Sequence, residues 1–79
     1  MVHELQMYEK HFKEIMDNNK HFEVRSDIGF KVGDTLLLRE IENDSIDNYT
    51  KSSITKTITY IARGANQFGL TEGFVILGF

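Results

Sequence analysis

The chain reads K-H-F-E-V-R-S-D-I-G-F-K-V-G-D from Lys20 to Asp34, and this segment predicts a strand that is followed by a turn into a second strand. Side chains alternate between the two faces of a strand. One face of this strand is therefore mostly apolar and carries Lys20, Phe22 and Val24. The other face is charged and carries His21, Glu23 and Arg25. Gly33-Asp34 stands one residue before three leucines, which is typical of a tight turn into a strand. We expect the charged segment to fold back over a core strand.

Length and cysteine usage limit the class of protein. The chain has 79 residues, which predicts a single domain over residues 1–79 with one modest core. It contains no Cys, so packing must stabilise it, and we expect a cytoplasmic protein in a reducing compartment. No apolar run approaches the roughly 20 residues that span a bilayer, and the first residues lack the order of a signal peptide. We therefore expect neither membrane insertion nor secretion.

The overall charge restricts the partners. Nine Lys and Arg stand against twelve Asp and Glu, for a net charge of -3. Binding to long duplex nucleic acid depends on neutralising many phosphates, so this balance argues against it. A local site for a single nucleotide or a short RNA remains open.

Hydrophobic periodicity predicts one helix and several strands. The expected strands are Val2 to Met7, Lys20 to Arg25, Thr35 to Ile41, Thr50 to Arg63 and Phe74 to Phe79. The helix is expected from Tyr8 to Asn19, with Asn18-Asn19 as a left-handed cap. The polar segment Glu42 to Tyr49 is typical of a hairpin connection, where we expect the highest disorder. Because an exposed edge as apolar as the last strand would aggregate, we expect a closed or nearly closed barrel.

The ordered motifs resemble a known family. They are H-x-L at His3 to Leu5, K-x-F-E-x-R at Lys20 to Arg25 and F-x-V-G-D at Phe30 to Asp34. In this order they are similar to the small PUA-like domains of the ASCH group, in particular its short bacterial and phage subfamily. The resemblance implies an α+β fold, a PUA-like β-barrel of five or six strands with one main helix packed beside it. It also implies that RNA or a nucleotide binds in a cleft between the helix, the Lys20 to Arg25 strand and the following loop.

One relative in that group removes acyl groups from a modified cytidine, and its lysine and a threonine three residues later act as base and nucleophile. Lys20 matches the lysine, whereas Glu23 stands at the threonine position and Asn18 replaces a glycine. Three functions therefore stay open. The first is an RNA- or nucleotide-binding module, the second is a small amidohydrolase acting on an acylated nucleoside, and the third is a protein-interaction adaptor that uses the acidic loop Glu42 to Asp47.

The candidate ligand site combines cations, acceptors, an imidazole and a stacking ring. Its members are His3, Lys20, Glu23, Arg25, Asp27 and Phe68. Cations suit a phosphate or a base edge, and carboxylates accept hydrogen bonds from an exocyclic amine. The alternative is structural: the charges only pair with one another, and His3 lies on the surface. No His spacing predicts a metal site, no cofactor is expected, and the oligomeric state stays open.

The aromatic residues and Asp34 are expected to be structural. Alternation with apolar strand faces predicts that most aromatic residues pack in the core: Phe22, Phe30, Tyr60, Phe74 and Phe79. Phe68 is the exception, since Asn66-Gln67 and Gly69 flank it in a loop. Asp34 follows Gly33 and is expected to accept hydrogen bonds from backbone amides in the turn.

Overall fold

A computed structural model describes residues 1–42, 48–64, 69 and 71–79. The elements in chain order are β1 Val2–Tyr8, α1 Glu9–Met16, β2 Phe22–Ser26, β3 Thr35–Ile41, β4 Tyr49–Thr57, β5 Tyr60–Ala62 and β6 Phe74–Gly78. The strands form two sheets of three strands each. The first sheet has the order β1-β3-β4, and the second sheet has the order β2-β6-β5.

Strand β3, the predicted core strand, is the centre of the first sheet. It pairs in parallel with β1 and antiparallel with β4. Leu36 and Leu38 are fully buried on the inner face, whereas Leu37 is half-buried on the outer face. The inner face of β3 packs in one core with Phe12 of the helix and Leu77 of the second sheet, which removes the two inner leucines from water.

Strand β6 is the centre of the second sheet and pairs antiparallel with β2 and β5. The prediction that the terminal apolar run lies inside a sheet is therefore confirmed. Val75 and Leu77 of β6 are buried and belong to one core with Leu36 and Leu38 of the first sheet. The inner faces of both sheets thus share a single hydrophobic core.

The predicted α+β barrel is wrong. In the described part of the chain the protein is mostly β-sheet, and its strands form two open sheets with one short helix. Strands β1 and β2 are edge strands of different sheets, with no main-chain ladder between them among the described residues. A barrel closes only when every edge is paired by main-chain hydrogen bonds. The side chain of Arg25 in β2 links these two edges instead, through a hydrogen bond to the main chain of β1.

The predicted long strand from Thr50 to Arg63 is also wrong, because β4 ends at Thr57 and β5 begins at Tyr60. Between them, Ile58 N donates to Asp34 O at 2.9 Å, and Gly33 N donates to Ile58 O at 2.8 Å. Thr59 N then donates to Gly78 O of β6 at 2.8 Å. The chain therefore leaves the first sheet at Ile58 and enters the second sheet one residue later.

The helix is shorter than predicted and ends at Met16. Asn18 has a φ of 60°, so the predicted left-handed cap is confirmed at this residue. Phe12 and Ile15 lie on the buried face of α1 and pack into the shared core. No helix in the described ranges is long and apolar enough to cross a membrane.

The predicted hairpin connection at Glu42 to Tyr49 is described only at its ends. Residues 43–47 lie outside the described residues, so the expected disorder there stays a prediction. At the ends of the connection, Glu42 N donates to Asn48 O at 2.9 Å, which holds the start of β4 beside the end of β3.

Candidate functional site

Three charged side chains meet in a cluster that we call the ion-pair cluster, formed by Lys20, Glu23 and Arg25. Lys20 Nζ lies 3.1 Å from Glu23 Oε1, and Arg25 Nη2 lies 3.0 Å from Glu23 Oε2. Glu23 is buried, with 8% of its surface exposed. A buried charge is stable only when it is paired and hydrogen-bonded, and here each carboxylate oxygen faces one cation. The cluster carries two positive charges and one negative charge, so it is cationic overall.

Strand geometry and the helix cap place these side chains. Glu23 and Arg25 are two residues apart in β2 and lie opposite Leu77 and Val75 of β6, on the inner face of the second sheet. Lys20 precedes the strand in the turn after α1, where its N–H donates to Glu14 O at 3.1 Å. Its ammonium thereby reaches the carboxylate from the end of the edge strand. The structure brings these three predicted residues into contact.

Arg25 also connects the two sheets. Its Nη2 donates to the main-chain oxygen of Gln6 at 2.6 Å, and Gln6 lies in β1, an edge of the first sheet. The guanidinium of Arg25 thus occupies the gap between the edges of β1 and β2. About a third of the side chain, 29%, remains exposed. The cluster therefore lies at an open junction of the two sheets, with a cation facing solvent.

His3 does not contact the ion-pair cluster. Its Nε2 donates to Asp34 Oδ2 at 2.7 Å, and both residues are buried. The imidazole ring also packs against Phe30, with ring centroids 4.6 Å apart. Asp34 accepts a further hydrogen bond from Lys31 N–H at 3.1 Å, so its predicted role in the turn is confirmed. His3 stabilises the Phe30 to Asp34 turn against β1, and the expected cleft position of His3 is wrong.

We expect the His3–Asp34 pair to make stability depend on acidic pH. The hydrogen bond from His3 holds the pKa of the Asp34 carboxyl below its ordinary value of 3.8, and the Lys31 N–H acts in the same direction. A lowered folded-state pKa contributes stability above the unfolded pKa, and this stability is lost as pH falls through the folded pKa. Chemical unfolding between about pH 5 and about pH 2 should therefore show a shallower decline for Asp34→Asn than for the unmodified protein.

The control for this experiment is Asp17→Asn, which removes a carboxylate whose contact with Lys13 Nζ lies on the exposed surface after α1. This variant should follow the unmodified protein across the acidic range. Equal slopes for Asp34→Asn and the unmodified protein would contradict the assigned role of the His3–Asp34 pair.

Asp27 lies apart from the ion-pair cluster and is paired with Arg63. Arg63 Nε donates to Asp27 Oδ2 at 3.1 Å, and Arg63 Nη2 donates to Phe30 O at 2.5 Å. The Gly29 N–H, followed by Arg63, lowers the pKa of the Asp27 carboxyl. A pocket of about 380 Å³ opens beside this pair and is also lined by Glu72 and Phe74. The structure therefore divides the predicted single site into three places.

The aromatic predictions have mixed outcomes. Phe30 is buried and Phe79 packs against the core, as expected. Phe22, Tyr60 and Phe74 are exposed, so the prediction that they pack in the core is wrong for these three. They lie on the outer face of the second sheet, because Glu23, Val75 and Leu77 take the inner positions. Phe68, the predicted stacking residue, lies outside the described residues.

No sequence pattern indicated three contacts of the site region. They are Gln6 O with Arg25, His3 with Asp34, and Arg63 with Asp27. Each joins residues 19 or more positions apart in the chain, so no local spacing indicates it. The nearest signal was Asp34 itself, which the turn motif singled out without indicating its partner.

In the residues that the structure describes, the fold and the cluster define a small β domain with two open sheets, one short helix and a cationic ion-pair cluster at the junction of the sheets. A family model described as a domain of unknown function, DUF3850, matches residues 2–79, and the chain belongs to this family. No curated protein matches the chain. The family match says nothing of the ASCH group, so that resemblance stays a prediction.

Proposed function

We propose that this domain binds a nucleotide unit, either free or within a short single-stranded RNA, at the ion-pair cluster. The observation that carries the proposal is the buried Glu23 carboxylate between two cations at the junction of the sheets. The surplus positive charge of the cluster suits a phosphate, and an arginine fork can engage two phosphate oxygens at once. The similarity of the Lys20 to Arg25 segment to the ASCH group supports the same class of ligand.

Each member of the cluster has a distinct role in this proposal. Arg25 uses Nη2 for Glu23 and Gln6, and within the described residues its other guanidinium nitrogens make no hydrogen bond. Lys20 has three N–H donors and directs one at Glu23. Both oxygens of Glu23 are engaged by the cations, so Glu23 positions the donors and does not contact a base. His3 and Asp27 take no part in this site.

Two other functions receive less support from the geometry. In the amidohydrolase alternative Lys20 acts as a base, yet here the Lys20 ammonium donates to Glu23, whereas a general base must offer a lone pair. The adaptor alternative rests on the loop Glu42 to Asp47, and residues 43–47 lie outside the described residues.

A reducing cytoplasm remains the expected compartment for this cysteine-free chain.

A thermal-shift comparison of uridine monophosphate with uridine tests the proposal. A ligand at about 100 times its dissociation constant stabilises a fold by roughly 2.7 kcal/mol, which is on the order of 10 °C for a domain of this size. We expect the monophosphate to raise the melting temperature and the nucleoside to raise it less. Arg25→Lys keeps the positive charge but loses the forked guanidinium donors, so it should reduce the ligand-induced shift. The separate variant Lys20→Met loses a positive charge and should reduce the shift more than Arg25→Lys does.

Lys13→Ala is the matched control, because Lys13 is an exposed helix lysine whose ammonium pairs with Asp17, away from the ion-pair cluster. This variant should retain the full ligand-induced shift. Each shift is measured relative to the melting temperature of the same variant without ligand, so a loss of stability is not mistaken for a loss of binding. An equal shift in Lys20→Met and the unmodified protein would exclude the cluster as the binding site.

A further inference from the structure

The outer face of the second sheet exposes two aromatic rings on either side of a glycine. Phe22 of β2 and Tyr60 of β5 are both register partners of Gly78 in the central strand β6. Cross-strand partners project to the same face of a sheet. Phe22 is 49% exposed and Tyr60 is 63% exposed. Water therefore reaches both rings, and no side chain stands between them in the central strand.

The spacing across Gly78 suits a planar group. Neighbouring strands lie about 4.8 Å apart, so a ring placed above Gly78 is about 5 Å from the strand on either side. Aromatic rings stack with their centroids about 4.5 to 7 Å apart. A Cβ atom at position 78 would come within 3.3 Å of the Tyr60 Cβ, so any other residue would crowd the gap. Glycine keeps this space open.

A cation lies at the rim of the same face. Lys20 Nζ is 5.4 Å from the centroid of the Phe22 ring, and the same nitrogen belongs to the ion-pair cluster. Exposed rings beside a positive charge are the features with which proteins hold single strands of nucleic acid: the rings stack on bases and the cation attracts the backbone. An apolar peptide would offer no negative group to the Lys20 ammonium.

We infer that Phe22, Gly78 and Tyr60 form a stacking site for one base of a single-stranded RNA, whose phosphate lies toward Lys20. We call it the stacking site. The inference rests on the proposed function and specifies it: the ligand is a strand with an unstacked base, and the ion-pair cluster and the stacking site bind adjacent parts of it. Val24 and Ile76, half-buried in the next row of the same face, extend the apolar floor.

The test compares two fluorescently labelled probes, an oligouridylate of about 12 nucleotides and an abasic strand of the same length. Phe22→Leu and Tyr60→Leu remove a flat ring and keep an apolar side chain. Each should weaken oligouridylate binding about tenfold and leave abasic binding unchanged. Tyr60→Phe keeps the ring and should bind as the unmodified protein does. Tyr8→Leu, at an exposed tyrosine of the first sheet, is the control for aromatic loss elsewhere.

Salt dependence separates the stacking site from the ion-pair cluster. Removing a phosphate contact lowers the slope of log affinity against log salt, whereas removing a stacking ring leaves that slope intact. Lys20→Met should therefore reduce the slope, and Phe22→Leu should reduce affinity at a constant slope. If Lys20→Met weakens oligouridylate binding while both leucine variants bind normally, the stacking site is wrong and the proposed function stands.

Three other outcomes would overturn the stacking site. If Tyr60→Phe lost as much affinity as Tyr60→Leu, the ring would not be what binds. If the unmodified protein bound neither probe, the stacking site and its RNA ligand would both be excluded, and a thermal shift with uridine monophosphate would still decide the nucleotide proposal. If sedimentation showed a dimer that Phe22→Asp disperses, the face would be an interface between two copies of the chain.

Discussion

Replacing Glu23 by alanine is expected to lower the free energy of unfolding by about 3 kcal/mol. The carboxylate is buried between Lys20 and Arg25, and its removal leaves two cations facing each other with no counter-charge. Breaking a buried pair in this way costs more than the pair itself contributes, because the remaining charges stay partly desolvated. Chemical denaturation of the variant and the unmodified protein measures the difference directly.

The control is the triple variant Lys20→Met, Glu23→Leu, Arg25→Met. It replaces the whole cluster by apolar side chains of similar size, a change that is often neutral or stabilising because no unpaired charge remains. We expect the triple variant to recover most of the stability that Glu23→Ala loses and to lose nucleotide binding. If both variants were equally unstable, the cluster would contribute through specific packing. If the triple variant still bound uridine monophosphate, the cluster would not be the site.

Replacing Phe30 by alanine is expected to cost about 4 kcal/mol of unfolding free energy, the largest effect predicted for this protein. Phe30 is 1% exposed, although it lies in a segment between β2 and β3 that has no regular secondary structure. Its ring packs on His3, and its carbonyl accepts from Arg63. The side chain therefore anchors a loop to the core, and its loss leaves a cavity that the surroundings cannot fill.

Phe30→Leu is the matched control, since it keeps most of the buried apolar volume and should cost much less. The unfolding free energies of both variants, measured by urea denaturation, give the comparison. For a domain of this size a loss of about 4 kcal/mol approaches the whole stability, so Phe30→Ala should be partly unfolded near physiological temperature. A loss below about 1 kcal/mol would contradict the anchoring role of Phe30.

The elements of the fold followed from local pattern where the pattern was strong. Alternation with period two predicted the strands that became β1 and β6, the apolar run with three leucines predicted β3, and the spacing of apolar residues predicted the helix. The break between β4 and β5 at Ile58 and Thr59 was not predicted, because neither residue is Gly or Pro and the run of β-branched residues continues through it. At this break Ile58 N–H donates to Asp34 O and Ile58 O accepts from Gly33 N–H, and both partner residues are far away in the chain.

The candidate site was also predicted correctly only where its residues are neighbours in the chain. Lys20, Glu23 and Arg25 lie within six residues, so strand alternation and one turn were enough to bring them together. His3 and Asp27 lie elsewhere because their partners, Asp34 and Arg63, come from distant segments.

The sequence alone therefore determined some features of this protein, and only the tertiary structure determined others. Alternation of side chains along the backbone is a property of neighbouring residues, so the chain alone determined which residues share a strand face and which charges stand together. Only tertiary structure decided which face of β2 points inward. The inner face holds Glu23 and Arg25, because Arg25 reaches the edge of β1 and both cations compensate the carboxylate, whereas Phe22 is left in water. That choice depends on the pairing of β2 with β6 and on the position of β1, which no local pattern contains.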